Sequence, residues 1–438
     1  MFEPLYTAEE MRAAEEGRDV EAMMERAGRA VADEVAKRFP DARRIAAVCG
    51  KGSNGADGRI AVRLLQEAAL DAAVTDDPAG ADVVIDALFG TGFRGEPRPE
   101  AAELIERING AGAPVVAVDI PSGVDASTGE IAGAAVRADA TVTMHARKVG
   151  LEIAPGRFRA GIVTVAEIGI PQIDTRDRLV TPDVLRLVPR RAPSDNKYTA
   201  GSVLVVGGSR GMTGAATLAA RAALRADAGY VAIAAPVESL PVLETLVVEA
   251  VKRPLDEIEE AVAKAGALAI GPGLGRDRRD LVRRLLEETE LAAVVDADGL
   301  WQLRPFERAA PTVLTPHEGE LARLLGEESS WVAAHRLEAV GQAAARFGCV
   351  VLLKGTDTLV CSPDGSLLVV SLGPPSLATA GTGDVLTGIV AAFLAKGLEP
   401  SLAAAAGAAA QQIAASLAPH QSGLVAGDVV EALPRALG

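Results

Sequence analysis

The chain has 438 residues, of which 49% are hydrophobic and 24% are charged, values typical of folded globular proteins rather than disordered chains. At roughly 150 residues per domain, this length predicts two or three domains. The 44 basic and 59 acidic side chains leave a formal net charge of −15, and aromatic residues make up only 3%. Both values argue against nucleic acid or an anionic membrane surface as a partner.

The composition also predicts the compartment. The three cysteines, Cys49, Cys349 and Cys361, are too few and odd in number for a disulfide framework, which favours a reducing environment. Met1–Glu10 lacks the basic start and the apolar run of a secretion signal. The apolar run Val385–Ala395 is much shorter than the roughly 20 residues that cross a bilayer. We therefore expect a cytoplasmic protein with no membrane partner.

From the N-terminus, Ala8–Arg38 has apolar residues at helical spacing and is predicted to be one helix. After Pro40, short apolar runs that end in Gly or a polar residue alternate with helical stretches. The runs predicted as strands are Ile45–Val48, Val83–Ile85, Val115–Val118 and Ala140–Met144. This alternation predicts an α/β fold, a Rossmann-like three-layer sandwich in which helices cover both faces of a parallel sheet.

Prolines and charges interrupt the pattern between Ile170 and Lys197, so we place a domain boundary near residue 175, with domains at 1–175 and 176–438. The alternation then restarts. The predicted strands are Val203–Val206, Val231–Ala234, Ala267–Ile270, Ala293–Val295, Thr312–Leu314 and Val350–Leu353. An apolar helix from Val385 and an Ala-rich helix over Ala403–Ala415 close the chain. The sequence thus predicts two α/β domains in series.

A Gly-rich segment, Gly50–Gly58, joins the first strand of the sheet to the next helix. Such a turn exposes backbone N–H groups at the positive end of a helix dipole and suits a phosphate group. The segment has neither the Walker nor the Rossmann spacing, and a plain tight turn is the alternative interpretation.

Two further strands of this half each end in an aspartate, Asp86 and Asp119. Ligands of parallel sheets bind at the carboxyl ends of the strands. Asn54, Asp86 and Ser122 could converge there as oxygen ligands of a hard cation, which leaves Asp119 as a candidate acid or base. Taken singly, each aspartate could instead be a turn or cap residue.

These motifs resemble the YjeF N-terminal family, the NAD(P)H-hydrate epimerases, over residues 1 to about 170. The family loop Gly-x-Gly-Asn-Asn-Gly-Gly-Asp-Gly matches Gly50–Gly58 with two departures, Ser53 and Ala56, and the family's Lys-Pro-Gly segment reads Lys148-Val149-Gly150. The resemblance implies a potassium ion on Asn54, Asp86 and Ser122, and Asp119 as a catalytic residue. The implied substrate contacts are Ser53, Asn54, Gly55, Ala56, Asp57, Gly90, Thr91, Gly92, Phe93, Arg94, Gly95, Glu96 and Asp119.

In the second half, Gly381-Thr382-Gly383-Asp384 stands before the apolar helix from Val385. Backbone N–H groups in such a turn can hold a phosphate, and the aspartate can accept a proton from a hydroxyl that attacks phosphorus. The alternative is an aspartate that only caps the helix.

Four other strand ends of this half carry glycines or polar side chains. They are Gly271–Gly275, Asp296–Gly299, Thr315–Glu320 and Lys354–Thr358. Such a set predicts a ligand site along one edge of the sheet. His317 could instead be structural, and Lys354 could be an ordinary solvated lysine.

Residues 178–438 resemble the ribokinase-like superfamily and, within it, the NAD(P)H-hydrate dehydratases. The match includes Gly207-Gly208-Ser209 and Thr213–Ala216 besides the segments above, whereas the family's His-Lys-Gly reads Asn196-Lys197-Tyr198. The resemblance implies that Asp384 is catalytic and touches the substrate, together with Ala215, Gly275 and His317. The implied nucleotide contacts are Lys354, Gly355, Thr356, Asp357, Thr358 and Gly383.

Together the two resemblances imply a fused repair enzyme for hydrated NADH and NADPH. One domain would interconvert the R and S hydrates, and the other would dehydrate the S hydrate with an adenine nucleotide. ADP is favoured over ATP as that nucleotide, with magnesium, and we expect a homo-oligomer. The alternative is a ribokinase-like small-molecule kinase with a non-catalytic N-terminal binding module.

Overall fold

The structure is a computed structural model that describes all 438 residues. It divides into two compact units. The N-terminal unit comprises Pro4–Arg178 with Ala333–Arg336, and the C-terminal unit comprises Met1–Glu3, Leu179–Val332 and Leu337–Gly438. No helix combines the length and the apolar character that a membrane span requires.

Before residue 170 the chain forms eight strands and five helices. They are β1 (Phe2–Tyr6), α1 (Ala8–Glu15), α2 (Val20–Arg38), β2 (Arg44–Cys49), α3 (Ser53–Glu67), β3 (Asp71–Val74), β4 (Val83–Ala87), α4 (Pro99–Gly110), β5 (Val115–Val118), β6 (Ala140–Met144), β7 (Arg147–Lys148), α5 (Arg157–Ala160) and β8 (Ile162–Ala166).

The single helix predicted over 8–38 is wrong, because the chain forms two helices there. Gly17 between them has φ +74°, a left-handed conformation that glycine adopts without strain. The Asp19 side chain then accepts a hydrogen bond from the Ala22 N–H at 3.1 Å and caps α2. The apolar spacing runs through both helices, so periodicity alone could not reveal the break.

The N-terminal unit is built on a six-stranded sheet in the order β3-β2-β4-β5-β6-β8, with every pair parallel. Helices α2 and α3 bury side chains such as Val31 and Leu65 on one face, and α4 buries Ile105 and Ile108 on the other. The predicted three-layer sandwich is confirmed. The chain turns back between β2 and β4, and in such sheets ligands bind outside the carboxyl ends of the strands at that switch point.

After residue 170 the chain forms ten strands and ten helices. They are β9 (Arg178–Val180), β10 (Ser202–Val206), α6 (Thr213–Arg225), β11 (Tyr230–Ala235), α7 (Leu240–Leu246), β12 (Val251–Pro254), α8 (Ile258–Val262), β13 (Ala267–Ile270), α9 (Arg279–Glu288), β14 (Ala292–Val295), β15 (Thr312–Leu314), α10 (Glu318–Leu325), α11 (Ser329–Ala334), α12 (Arg336–Phe347), β16 (Val350–Leu353), β17 (Thr358–Cys361), β18 (Leu367–Val370), α13 (Thr382–Ala395), α14 (Pro400–Ser416) and α15 (Ala426–Leu437).

In the C-terminal unit the strands β12-β11-β10-β13-β14-β15-β16 run parallel, and β17 and β18 extend the sheet antiparallel. The predicted parallel strands are confirmed. The β17–β18 hairpin was not predicted, although Gly365 with φ +84° marks its turn. The switch point here lies between β10 and β13, whose following loops carry Gly207–Ser209 and Gly271–Gly275.

Small side chains allow the helices of this unit to pack closely. The alanines of α6 and α14 are almost all buried, and α13 is buried from Val385 to Leu394. A Cβ on Gly388 would lie 2.1 Å from the Ala219 carbonyl oxygen, so only glycine permits this approach of α13 to α6. The tight packing holds the first turn of α13 in a defined position at the edge of the sheet.

Candidate active sites

The Gly-rich segment Gly50–Gly58 was predicted to be a loop before the next helix. Only its first residues form a loop, because α3 already begins at Ser53. The first N–H bonded within the turn is that of Ala56, which donates to the Gly52 carbonyl at 3.1 Å. The amides of Ser53, Asn54 and Gly55 therefore have no partner in the helix and form an anion-binding N-terminus. Ala56 is helical, so its methyl group is accommodated where the family has glycine.

Asn54, Asp86 and Ser122 come together at this edge of the sheet. Ser122 donates through Oγ to Asp86 Oδ1 at 2.6 Å and through its N–H to Oδ2 at 2.8 Å. Phe89 links the third residue, since its carbonyl accepts from Asn54 Nδ2 at 2.7 Å and its N–H donates to Ser122 Oγ at 2.8 Å. Asp86 is fully buried, which raises its pKa to about 6 despite the bonds from Ser122. One carboxylate with amide and hydroxyl oxygens suits a hard cation.

The segment Gly90–Glu96 follows β4 at the same edge. Its Phe93 ring stacks on Phe89 at 4.7 Å between centroids, and its Gly90 lies against the Asn54 side chain. The remaining positions are half-buried at Thr91 and exposed at Gly92, Arg94, Gly95 and Glu96. The structure thus places this predicted substrate segment beside the oxygen atoms of Asn54, Asp86 and Ser122.

Asp119 lies at the end of β5 with φ +67°, a left-handed conformation that is uncommon outside glycine and is enriched at functional sites. Its Oδ1 accepts from the Lys148 ammonium at 2.5 Å and from the Met144 N–H at 3.1 Å. Its Oδ2 makes no hydrogen bond within the protein and is the oxygen available to a ligand.

Lys148 is a functional candidate that stands out in the sequence only as part of the Lys148-Val149-Gly150 motif. Its side chain is 0% exposed, and its Nζ also donates to Thr143 Oγ1 and to the Met144 carbonyl, at 3.0 and 2.7 Å. A lysine is almost never buried without a partner. The apolar residues around position 148 were the signal in the sequence that this lysine could be buried.

Asp57, in the second turn of α3, is 8% exposed, and its Oδ1 has no hydrogen-bond partner. Burial, with the negative charges of Asp119 and Glu15, raises the pKa of Asp57 to about 8. Asp57 therefore carries a proton near neutral pH. Glu15, at the end of α1, is exposed at its surface, but desolvation by the surrounding chain and then the charge of Asp119 raise the pKa of its carboxyl. Nothing in the sequence pattern indicated Glu15, because acids are common on exposed helix ends.

In the C-terminal unit, α13 begins at Thr382, so Asp384 lies inside its first turn and not before the helix as predicted. Gly381, with φ +87°, precedes the helix, and its carbonyl accepts the Val385 N–H at 3.2 Å. The amides of residues 382–384 are thus unpaired within the helix. The Asp384 carboxyl makes no capping hydrogen bond, so the interpretation of Asp384 as a cap is wrong.

Charges of three neighbouring elements surround Asp384. Burial and then Asp296 raise its pKa to about 7, the nearby Lys354 opposes this rise, and Asp298 and Glu320 add to it. A carboxyl with this pKa is partly ionised at neutral pH, as a general base requires.

A cavity of about 490 Å³ opens beside this turn. The predicted nucleotide contacts that line it are Lys354, Gly355, Thr356, Thr358 and Gly383, and His317 lines it as well. Asp357 does not line it and is 1% exposed, so its side chain is directed into the protein. Two prolines and two glutamines, at 374, 375, 411 and 412, are among the other residues that line the cavity.

Lys354 is not a solvated lysine. Its Nζ donates to Asp296 Oδ1 at 2.7 Å and lies 3.7 Å from Glu320 Oε2. Asp296 in turn accepts from Thr387 Oγ1 at 2.7 Å. The segments of Asp296 and Glu320 were predicted to lie at the site, without a role for either residue. Thr387 was not predicted, since its only signal in the sequence is a hydroxyl within an apolar helix.

His317 has a structural role. Its ring Nδ1 accepts the Gly319 N–H at 3.0 Å, and its backbone N–H donates to Glu320 Oε2 at 2.9 Å. These two bonds together cap α10. Its Nε2 lies 3.5 Å from Glu320 Oε1. The ring remains half-exposed at the cavity, so capping and ligand contact are compatible.

The remaining two predicted substrate residues, Ala215 and Gly275, both lie at the switch point of the C-terminal sheet. Gly275 is in the loop after β13, and Ala215 is in the first turn of α6. The Gly275 N–H donates to Asp298 Oδ2 at 2.9 Å, and the Ser209 N–H donates to the Gly273 carbonyl at 2.7 Å. Ala215 Cβ would lie 3.2 Å from a Cβ on Gly273, which is glycine with φ +60°. These loops lie side by side at the carboxyl ends of β10 and β13.

Comparison with known proteins matches both halves. The family model for NAD(P)H-hydrate dehydratase covers residues 203–435, and that for the YjeF-related protein N-terminus covers 20–79 and 67–150. The bifunctional NAD(P)H-hydrate repair enzyme Nnr of Moorella thermoacetica is 39% identical, across 95% of this chain and 92% of that protein. Nnr of Escherichia coli is 34% identical, across 94% and 88%.

Among solved structures, an ADP/ATP-dependent NAD(P)H-hydrate dehydratase of Bacillus subtilis, co-crystallised with ATP and Mg²⁺, matches with a TM-score of 0.55. It is 30% identical and covers 58% of this chain and 96% of its own. The alternative of a small-molecule kinase with a non-catalytic N-terminal module is not supported, because the relatives match across both domains.

Proposed function

The chain belongs to the family of bifunctional NAD(P)H-hydrate repair enzymes, and on that premise we propose how its residues divide the work. The protein is an enzyme that interconverts the R and S hydrates of NADH and NADPH and dehydrates the S hydrate in a nucleotide-dependent reaction. Epimerisation is assigned to Asp119 in the N-terminal unit and dehydration to Asp384 in the C-terminal unit.

Dehydration must remove a hydroxyl from carbon 6 of the reduced nicotinamide ring, and hydroxide is a poor leaving group. Asp384 takes the proton of this hydroxyl while the hydroxyl oxygen attacks the terminal phosphorus of the nucleotide. The nucleotide, shortened by one phosphate, leaves. The lone pair of the ring nitrogen then expels phosphate, and loss of a proton from the adjacent ring carbon to water restores the ring double bond. The free amides of residues 382–384 and the Lys354 ammonium are placed to stabilise the phosphoryl group.

The nucleotide is proposed to occupy the cavity of about 490 Å³ beside α13. Lys354 to Thr358 and Gly383 are its proposed contacts, except that Asp357 acts through the fold of its loop, since its side chain is buried. ADP is the proposed donor, with ATP as the alternative, and magnesium is expected to accompany either. Ala215, Gly275 and His317 are the proposed contacts of the hydrated dinucleotide.

Asp119 is proposed to move the proton during epimerisation, through the oxygen that has no partner in the protein. The substrate is proposed to contact residues 53–57 and 90–96, its phosphates at the free amides that begin α3. Asn54, Asp86 and Ser122 fit potassium, because a buried carboxylate and two neutral oxygen donors match a singly charged hard cation. When bound, the ion would supply positive charge that holds the Gly-rich turn against the phosphates.

One observation carries the dehydratase assignment: Asp384 is a half-buried carboxyl without a hydrogen bond, beside three free amides and Lys354. Asp384→Asn tests it in the full chain. The variant should bind adenine nucleotide normally and lose dehydration of the pure S hydrate by roughly 100-fold or more, the contribution of a positioned general base. Epimerisation should be unchanged.

Asp280→Asn is the matched control, because Asp280 also lies in the first turn of a helix of the same unit but is fully exposed. It should leave both activities unchanged. Near-normal dehydration by Asp384→Asn would refute the assignment of Asp384 as the base.

A further inference from the structure

Asp296, at the end of β14, is 1% exposed and has both carboxylate oxygens engaged. Oδ1 accepts from Lys354 Nζ and Oδ2 accepts from Thr387 Oγ1, each at 2.7 Å. The two partners come from different elements, the end of β16 and the second turn of α13. Asp296 therefore ties the lysine to the helix that carries the proposed base.

The contact lies directly against the anion-binding turn. A Cβ on Gly383 would lie 3.3 Å from Lys354 Nζ and 3.7 Å from Asp296 Oδ2. Thr387 Oγ1 also lies 3.1 Å from the Gly383 carbonyl oxygen. The ammonium is thus held beside the amides that would face a phosphoryl group.

A lysine needs such support because its ammonium ends a flexible four-carbon stem and can point in many directions. Glu320 Oε2 at 3.7 Å is a second but longer contact, and it cannot by itself define the position of Nζ. Preorganised charge is effective in phosphoryl transfer because no rearrangement is needed when the transition state forms.

We propose that Asp296 is a positioning residue of the dehydratase site, which holds the Lys354 ammonium and, through Thr387, the first turns of α13 in the arrangement that phosphoryl transfer requires. The inference rests on the proposed role of Asp384 as the base. Asp296 touches neither the nucleotide nor the reacting hydroxyl, and it acts through Lys354 and α13.

The charge of Asp296 has a second, measurable effect. The groups that face Asp384 are Asp296 and Asp298 after β14, Glu320 on α10 and Lys354 after β16. Among these, Asp296 contributes most to the raised pKa of Asp384, and Lys354 opposes it. Removing the charge of Asp296 should lower the pKa of Asp384 for two reasons. An anion that repels the Asp384 carboxylate is lost, and the charge of Lys354 is no longer neutralised.

The test is Asp296→Asn in the full chain, which preserves size and removes the charge. We expect kcat/KM for dehydration of the S hydrate to fall about 10- to 100-fold, the range that a small misplacement of a catalytic group causes. The acid limb of the pH profile of kcat/KM, which reports the free base, should move to lower pH by at least about half a unit. A purely structural role would not move this limb.

Thr387 supplies the second pair of variants. Thr387→Val removes the hydroxyl and should lower kcat/KM in the same direction, whereas Thr387→Ser keeps the hydroxyl and should restore it. Asp280→Asn remains the control. The two tryptophans, Trp301 and Trp331, both lie in the C-terminal unit, so their fluorescence checks that this unit is folded in each variant.

The outcomes separate the two proposals. If Asp384→Asn keeps its turnover, the proposed base is wrong whatever Asp296 does. If Asp384→Asn is inactive but Asp296→Asn and Thr387→Val keep the wild-type rate and pH profile, the role of Asp296 is refuted. If Asp296→Asn does not fold, equal rates of Thr387→Val and Thr387→Ser refute it, and a loss restored by serine supports it.

Discussion

Replacing Lys148 with methionine should destabilise the N-terminal unit strongly. The Lys148 side chain is 0% exposed, and its Nζ bonds to Asp119, Thr143 and the Met144 carbonyl at 2.5 to 3.0 Å. Methionine fills nearly the same volume but leaves the Asp119 carboxylate without its cation in a buried setting. Breaking one side of a buried ion pair costs about 3–5 kcal/mol.

This free energy translates into a large shift in urea. With a dependence of about 2 kcal/mol per molar urea, a loss of about 4 kcal/mol lowers the unfolding midpoint by about 2 M. Lys148→Met combined with Asp119→Asn should recover most of the loss, because no unpaired charge then remains buried. The double variant distinguishes the ion pair from simple packing.

The two units can be followed separately in the full chain. Hydrogen–deuterium exchange of peptides from β2, β4 and β5, measured against urea, reports the N-terminal unit. Tryptophan fluorescence reports the C-terminal unit, which holds both tryptophans and should show an unchanged midpoint. A midpoint shift below about 0.5 M in the N-terminal peptides, or a double variant as unstable as the single one, would refute the reasoning.

Two further predictions concern the same unit. Asp86→Asn should abolish epimerisation and its dependence on added KCl while dehydration of the S hydrate stays normal, and an equal loss of both activities without unfolding would contradict the cation site. Because the folded pKa of Asp57 is raised to about 8, the folded unit holds a proton that the unfolded chain releases above about pH 4. Stability of the N-terminal unit should therefore fall between pH 4 and 8 by up to about 1.4 kcal/mol per pH unit. Asp57→Asn should flatten this slope in the exchange experiment, whereas an unchanged slope would contradict the buried acid.

Much of the architecture could be predicted from the sequence because strands buried on both faces are short, continuous apolar runs. Such runs located β2, β4, β5 and β6 and six of the seven parallel strands after residue 200. The seventh, β12, was not predicted, because it is only partly buried and contains Lys252 and Arg253. Polar residues at their ends then indicated both sites, since parallel strands bring their carboxyl ends to one edge. Helix ends were less accessible: the break at Gly17 and the start of α13 at Thr382 depend on local backbone conformation, which apolar spacing does not encode.

The partners of the charged side chains were decided only by the tertiary structure. Lys148 meets Asp119 across 29 positions, Lys354 meets Asp296 across 58, and Thr387 meets Asp296 across 91. The residue types of these groups are visible in the sequence, but their partners, burial and shifted pKa values are not. A charge interacts strongly only where folding removes the surrounding water, and the depth of that removal is set by every element packed around it.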